Sequence, residues 1–237
     1  MKKNSHNPCP SCPSSDAYFV YSDGHGHCYS CGYHDPGTNS IESMRMKLAP
    51  TNLSSKDIDI SKYTHSIPPA ARVWLRKYGI TDAEISKYQI MWNPDKYSLV
   101  FPIFSGGRVV VTNERYYGHE KKHPKYLTRG NKTAHFNFFG KESDEIILVE
   151  DYVSAIKIAR QARSCPLLGS TVPMPLVLRL VDDGYKSVKI WLDRNKAKES
   201  IEECNKLSQF ITEVKPIITE LDPKEYNDEA ICETISI

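Results

Sequence analysis

The sequence has no long apolar run. Its most hydrophobic stretches, such as Ile146-Ile147-Leu148-Val149, fall far short of the ~18–20 residues a bilayer span needs. Met1-Lys2-Lys3 opens like a secretory signal, but no apolar segment follows, so no secretion and no membrane contact are expected. No G-x-x-x-x-G-K-[ST] loop occurs, and Gly140-Lys141-Glu142-Ser143 lacks both the upstream glycine and the adjacent hydroxyl. That excludes a motor of the P-loop kind. No internal repeat or low-complexity tract stands out. Neither charge sign dominates: 31 Lys+Arg stand against 29 Asp+Glu, a net charge of +2 over 237 residues. With 40% hydrophobic residues the chain can bury a real core, which excludes wholesale disorder. The length fits one large domain or two smaller ones.

What is present begins with cysteine. Cys9, Cys12, Cys28 and Cys31 crowd the N-terminal end, while Cys165, Cys204 and Cys232 are scattered singly. A disulfide scaffold would spread even-numbered pairs over a short secreted chain; this pattern suits a reducing compartment with one metal site and three ordinary thiols. The spacing is Cys9-x2-Cys12-x15-Cys28-x2-Cys31. Two such knuckles set four thiolates at the corners of a tetrahedron, which suits structural Zn2+ and leaves no open position. An iron–sulfur cluster is the rival, with a spacing that is usually different. Tyr18–Tyr21 and His27–Tyr29 are expected as short strands. Asp23 and His25 lie between the knuckles beside Tyr21 and Tyr29. Such residues can bond base edges and stack on unpaired bases, or form a polar turn over core tyrosines; the residues alone leave both readings open.

Residues 38–61 are rich in breakers and poor in apolar periodicity, as expected of a linker with a short helix near Ile41–Leu48. Pro68-Pro69 can open a helix that Gly79 stops, and Thr81-Asp82-Ala83-Glu84 fits a capping box. Residues 97–104 and 108–112 are expected as a hairpin around Ser105-Gly106-Gly107. Further on, strands at Ile146–Val149, Val188–Leu192 and Val214–Ile218 alternate with helices at Ser154–Arg163 and Lys198–Ile211, which predicts an α/β layer with parallel pairing.

Between Phe101 and Gly140 seven cations (Arg108, Arg115, Lys121, Lys122, Lys125, Arg129, Lys132) face two acids, a net +5 over 40 residues, with Tyr116, Tyr117, Tyr126, Phe136, Phe138 and Phe139 interleaved. Such a density attracts phosphates with steep salt dependence; a solvated loop face has the same composition. Glu150 and Asp193 each follow a predicted strand of the parallel sheet. Sites form at the carboxyl edge of such sheets, so the two acids can converge on one Mg2+, or they are strand-end surface charges.

Several of these segments resemble known primases. Ser22-Asp23-Gly24-His25-x-x-Cys28-Tyr29-x-Cys31 resembles the zinc-binding domain of the fused primase–helicase of T-odd phages and, more loosely, that of bacterial replicative primases. Tyr97–Ile103, Pro124-Lys125-Tyr126-Leu127 and Phe138-Phe139-Gly140 are similar to elements of the basic subdomain of primase polymerase domains. Glu150, Tyr152, Leu168-Gly169-Ser170-Thr171, Asp193 and Asp222-Pro223 resemble positions of the Toprim domain. Three residues depart from that pattern: Asp151 stands at the motif glycine, Ser154 at the following acid and Asn195 at the second aspartate of Asp-x-Asp. Fewer charges there imply weaker metal binding.

The resemblance implies a zinc ribbon, small and β, over residues 1–37, the linker over 38–61, a basic N-terminal polymerase subdomain over 62–141 and a Toprim-type α/β catalytic subdomain over 142–237. It implies a DNA primase that makes short RNA primers on single-stranded DNA from nucleoside triphosphates. Cys9, Cys12, Cys28 and Cys31 would hold zinc; Glu150, Asp193 and Asn195 would hold Mg2+ or Mn2+. Arg115 and Lys125 would flank the catalytic centre; Asp23, His25, Arg108, Lys121, Lys122, Arg129 and Lys132 would meet nucleic acid. A separate helicase and DNA polymerase would be partners, in the cytoplasm, that of a host if the chain is phage-encoded. A primase-derived module that binds single-stranded DNA with little or no catalysis, and a Toprim nuclease, are the alternatives.

Overall fold

The computed structural model describes residues 5–21, 26–35, 41, 45, 56–117 and 124–236. The chain forms two compact units, Met1–Ser54 and Ser55–Ile237. The helix expected near Ile41–Leu48 lies largely outside the described residues. Among the described residues no helix is long and apolar enough to cross a membrane.

The first unit is a four-stranded antiparallel ladder of β1 (Ser5–Asn7), β2 (Tyr18–Val20), β3 (Gly26–Cys28) and β4 (His34–Asp35), each paired with the next. Gly26 is required by close approach: a Cβ there would lie 2.0 Å from the Tyr18 hydroxyl oxygen. The Tyr18 ring therefore lies across the sheet, and its hydroxyl donates to Asp35 Oδ2 at 3.1 Å. Both knuckles are tight turns. Cys9 N–H bonds Ser14 O at 2.9 Å, Cys28 N–H bonds Tyr33 O at 2.8 Å and Gly32 N–H bonds Cys28 O at 2.9 Å. Tyr18 and Cys28 are the buried hydrophobic residues among those described in this unit. So small a core needs a staple.

The second unit holds two four-stranded sheets. One is antiparallel, in the order β5 (Met91–Asn93), β6 (Ser98–Ser105), β7 (Arg108–Tyr116), β8 (Tyr126–Gly130). The predicted hairpin is β6–β7, turning on Gly106 and Gly107, both at positive φ. Part of the basic stretch is itself a strand: β8 pairs with β7, placing Tyr126 opposite Arg115. Before this sheet come α1 (Pro69–Lys77) and α2 (Asp82–Lys87), the latter with the complete Thr81/Glu84 capping box. Packing of the unit begins before Ser61, since Asp57 pairs with Arg108 at 3.1 Å and Ile58 N–H bonds Val109 O at 2.9 Å.

The other sheet is parallel, in the order β10 (Ser164–Pro166), β9 (Glu145–Val149), β11 (Ser187–Trp191), β12 (Glu213–Pro216). Helices α3 (Tyr152–Ile158), α4 (Met174–Asp182) and α5 (Ala197–Leu207) make the crossovers, and α6 (Asp228–Ile235) follows. The chain leaves β9 toward β10 on one side and returns to β11 on the other. That reversal opens a crevice beyond the carboxyl ends of β9 and β11, where the register sets Val149 beside Trp191.

Residues of β9 alternate between two cores, as a strand buried on both faces must. Ile146 and Leu148 pack with Leu176, Leu180, Cys204 and Leu207 of α4 and α5. Ile147 and Val149 pack with α3 and with Leu99 and Phe101 of the antiparallel sheet. Helix α3 is therefore buried all round, Lys157 included, rather than on one side. Its Tyr152 ring packs tilted against Phe101 and edge-to-face against Phe139, with ring centroids 5.2 and 5.0 Å away, and its hydroxyl donates to Pro102 O at 3.0 Å. The two sheets are locked through that ring.

Arg160 ties the periphery. Its guanidinium forks onto Glu84 at 2.8 and 2.9 Å and also reaches Asp228 at 2.7 Å and Gly79 O at 2.7 Å. Burial alone would raise the pKa of Glu84. Arg160 and the Thr81 cap outweigh it and hold the carboxyl below its ordinary 4.5. A depressed folded pKa stabilises above the unfolded value, and that stabilisation is lost as pH falls through the folded one. Glu84→Gln is therefore expected to cost about 1–3 kcal/mol at pH 7. In urea titrations the gap from wild type should shrink steadily below pH 4.5; a gap independent of pH would contradict the ion-pair account.

Candidate active site and metal centre

In the first unit the sulfurs of Cys9, Cys12, Cys28 and Cys31 all lie within 4.8 Å of one another. Cys9 and Cys31 stand 3.7 Å apart, Cys12 and Cys28 3.8 Å apart. A disulfide would bring them to about 2.05 Å. A regular tetrahedron with Zn–S of ~2.3 Å has an edge of about 3.8 Å, so the four sulfurs have the spacing of a tetrahedral metal cage. Ser11 N–H donates to Cys9 Sγ at 3.3 Å, as thiolate ligands of a knuckle require. Asp23 and His25 lie outside the described residues.

In the second unit a cleft of about 460 Å³ opens at the crevice beyond β9 and β11. Glu150 and Asp193 line it, and so do Arg115 and Lys125; these four of the residues singled out in the sequence share one cavity. Asp151 and Asp222 add two more carboxylates, and Lys224 an ammonium. Asp151 caps α3, accepting from the N–H groups of Val153 and Ser154 at 2.9 and 3.0 Å and from the Ser154 hydroxyl at 2.7 Å. Asp222 opens the turn after β12 and accepts from Arg194 N–H at 3.1 Å.

The carboxylates are under strain from their surroundings. Burial pushes the Asp193 carboxyl up to about 6; Lys224 opposes this, while Asp151, Glu150 and Asp222 add to it. Glu150 is raised too, by burial first and then by the charge of Asp151, against the pull of Lys224, Lys196 and the Asp193 backbone N–H. Glu150 Oε2 is buried with no hydrogen-bond partner. A buried carboxylate oxygen left unpartnered is costly, and a hard divalent cation is the kind of group that would satisfy it.

The cationic wall is differently built. Arg115 lies at the end of β7, with its guanidinium 4.3 Å from the Trp74 ring centroid and near the faces of Tyr117 and Tyr126. It donates to both phenol oxygens, at 3.2 and 3.1 Å. Among the described residues no carboxylate pairs with it. The aromatic cage fixes the guanidinium's direction while leaving its charge for an anion. Lys125 is exposed at the same wall.

The other predicted residues fare variously. Lys132 lines the cleft, its ammonium donating to Leu168 O at 2.6 Å. Arg129 faces the buried Glu114 at 3.0 Å, and Arg108 pairs with Asp57 at the hairpin end; neither lines the cleft. Asn195 sits exposed in a 3-10 turn and does not line it either, so Asp222 and Asp151 take the places beside Asp193. Lys121 and Lys122 lie outside the described residues. Sequence reasoning missed Lys224 and Trp74. Neither stands in a run or spacing that signals chemistry; only the folding of distant segments onto one crevice brings them in.

Replacing a carboxylate whose charge is disfavoured by burial and an acidic neighbour relieves the fold. Glu150→Gln is expected to raise stability by about 1 kcal/mol without divalent ions, or roughly 2–4 °C in Tm for a unit of this size. A comparable fall in Tm would make Glu150 a structural residue.

No family model matches this sequence, and no curated protein matches it. Solved structures do. The primase fragment of the bacteriophage T7 primase–helicase protein is similar over 98% of this chain and 98% of its own, at 14% identity and a TM-score of 0.53. A second match comes from an assembly of T7 lagging-strand DNA polymerase with primase domains bound to an RNA/DNA hybrid and dTTP. It covers 98% of this chain and 95% of the other, at 16% identity and a TM-score of 0.50. Over nearly its whole length, this chain carries the fold of a phage-type primase.

Proposed function

We propose that this protein is a DNA primase, which makes short RNA primers on single-stranded DNA by metal-dependent nucleotidyl transfer. The observation that carries the reading is the orphaned, buried Glu150 oxygen beside Asp193, in the same cleft as an aromatic-caged arginine with no carboxylate partner among the described residues. The shared fold with T7 primase supports it. So does the T7 assembly, whose primase domains are bound to an RNA/DNA hybrid and dTTP.

On this reading the parallel-sheet half is a Toprim-type catalytic subdomain, the preceding antiparallel half its basic partner, and the four-cysteine unit a zinc ribbon. Asp23 and His25 of the ribbon would read template bases. Glu150 and Asp193 hold one Mg2+ or Mn2+; when bound, the ion stabilises charge on the phosphate under attack and lowers the pKa of the attacking hydroxyl. Arg115 and Lys125 bind triphosphate or template phosphates. The aromatic cage keeps the Arg115 guanidinium from collapsing onto the acids. Lys132, held by Leu168 O, lines the cleft beside Leu168 and Gly169. A separate helicase opens the duplex and a DNA polymerase takes over the primer.

A second reading, a single-stranded DNA-binding module with little catalysis, is favoured by one observation: Ser154 and Asn195 stand where charged ligands are expected, and Lys224 neutralises part of what remains. One assay separates these readings. Zinc-loaded protein is mixed with single-stranded DNA of varied sequence, labelled nucleoside triphosphates and Mg2+ or Mn2+. Primase activity gives short RNA products, lost by at least about 100-fold in Glu150→Gln and Asp193→Asn with DNA binding retained. Salt-sensitive binding without product gives the module, and cut DNA a nuclease. For the ribbon, one zinc per chain is expected. A chelator should collapse the dispersed amide resonances of the first unit while thermal unfolding of the second persists unchanged. Retention of those resonances after zinc loss would contradict that role.

A further inference from the structure

The acids of the cleft already hold a cation. Lys224 Nζ lies 3.0 Å from Asp151 Oδ2, 3.3 Å from Asp193 Oδ2 and 3.3 Å from Asp222 Oδ2. An ammonium has three protons to donate: it donates to Asp151 Oδ2 and to both carboxylate oxygens of Asp193, and it pairs with Asp222 by charge. The side chain is 13% exposed, so the group belongs to the floor of the cleft rather than its rim. Its backbone is fixed as firmly. Asp222 and Glu225 close a reciprocal capping box around the turn. From beneath, the buried Lys157 of α3 donates to Lys224 O at 2.9 Å and to Tyr226 O.

We propose that Lys224 is a resident cation of this site, filling a position that a second divalent ion would otherwise take. The inference rests on the metal-dependent reading above and adds to it a limit on how many ions the cleft accepts. Two-ion centres place their ions about 3.5–4 Å apart, and clusters of carboxylates around such pairs balance roughly four positive charges. Here Glu150, Asp151, Asp193 and Asp222 supply four negative charges, and the ammonium cancels one. The three that remain suit a single divalent ion. Only Glu150 among them makes no ion pair with Lys224, and its Oε2 is the unpartnered atom. The single ion therefore sits between Glu150 and Asp193, while the side toward Asp151 and Asp222 is closed by the lysine. An ammonium cannot be lost to chelation or to a drop in ion concentration, so this half of the site stays charged and shaped without metal.

The test counts ions. Zinc-loaded, full-length protein is titrated with Mn2+, and free Mn2+ is followed by electron paramagnetic resonance. Lys224→Met is expected to bind one Mn2+ more per chain than wild type. Lys224→Arg, which keeps the charge, should keep the wild-type count. Lys224→Gln retains a hydrogen-bonding group and should behave as Lys224→Met; it serves if the methionine variant does not fold by circular dichroism. The same number of ions in wild type and in either neutral variant, at affinities within about 3-fold, overturns the proposal. Glu150→Gln separates the two levels. If it leaves the wild-type count unchanged, the metal site itself is misplaced, whatever Lys224 does.

Discussion

Four carboxylates share one half-buried crevice, and their mutual repulsion is the burden that the second unit is organised to bear. The crossover of the parallel sheet puts Glu150 and Asp193 at adjacent strand ends. The N-cap of α3 spends its backbone N–H groups and the Ser154 hydroxyl on Asp151. Lys224 spreads one ammonium over three of the acids. What none of these satisfies is Glu150, whose buried oxygen has no partner. A fold selected only for stability would not leave it so.

The same logic explains the opposite wall. A guanidinium facing several carboxylates across a small cavity would ordinarily close onto them. Arg115 does not, because Trp74, Tyr117 and Tyr126 hold it by their faces and by two phenol oxygens. Opposite charges are thus kept apart within one cleft. Rigidity comes from Tyr152, whose ring and hydroxyl join α3 to the antiparallel sheet. Since α3 begins directly beyond Glu150 and Asp151, the sheet junction and the acidic floor are one packed element.

Much of this was legible in the residues. The paired CxxC spacing marks a four-sulfur cage because tetrahedral ligation is local to two tight turns. The capping box at Thr81 and the Gly106-Gly107 hairpin are legible for the same reason: short-range chemistry decides them. Glu150 and Asp193 were visible as strand ends because buried parallel strands are apolar runs that stop at a charge. Lys224 was not, since its role depends on where a turn near the C-terminal end comes to rest against α3. Strand β8 was hidden too, as its exposed tyrosine and its arginine have a loop's composition while its backbone completes a sheet edge. Arg129 shows the converse limit: a basic stretch predicts phosphate binding, yet this guanidinium faces a buried glutamate.

The most direct measurement is a crystal of the protein soaked in Mn2+ and recorded at a wavelength where manganese scatters anomalously. The account predicts an anomalous peak in the cleft within about 2.2 Å of carboxylate oxygens of both Glu150 and Asp193, with Arg115 still held in its aromatic cage. A cleft with no such peak, or a peak bound by exposed acids elsewhere while Glu150 stays unligated, would contradict it.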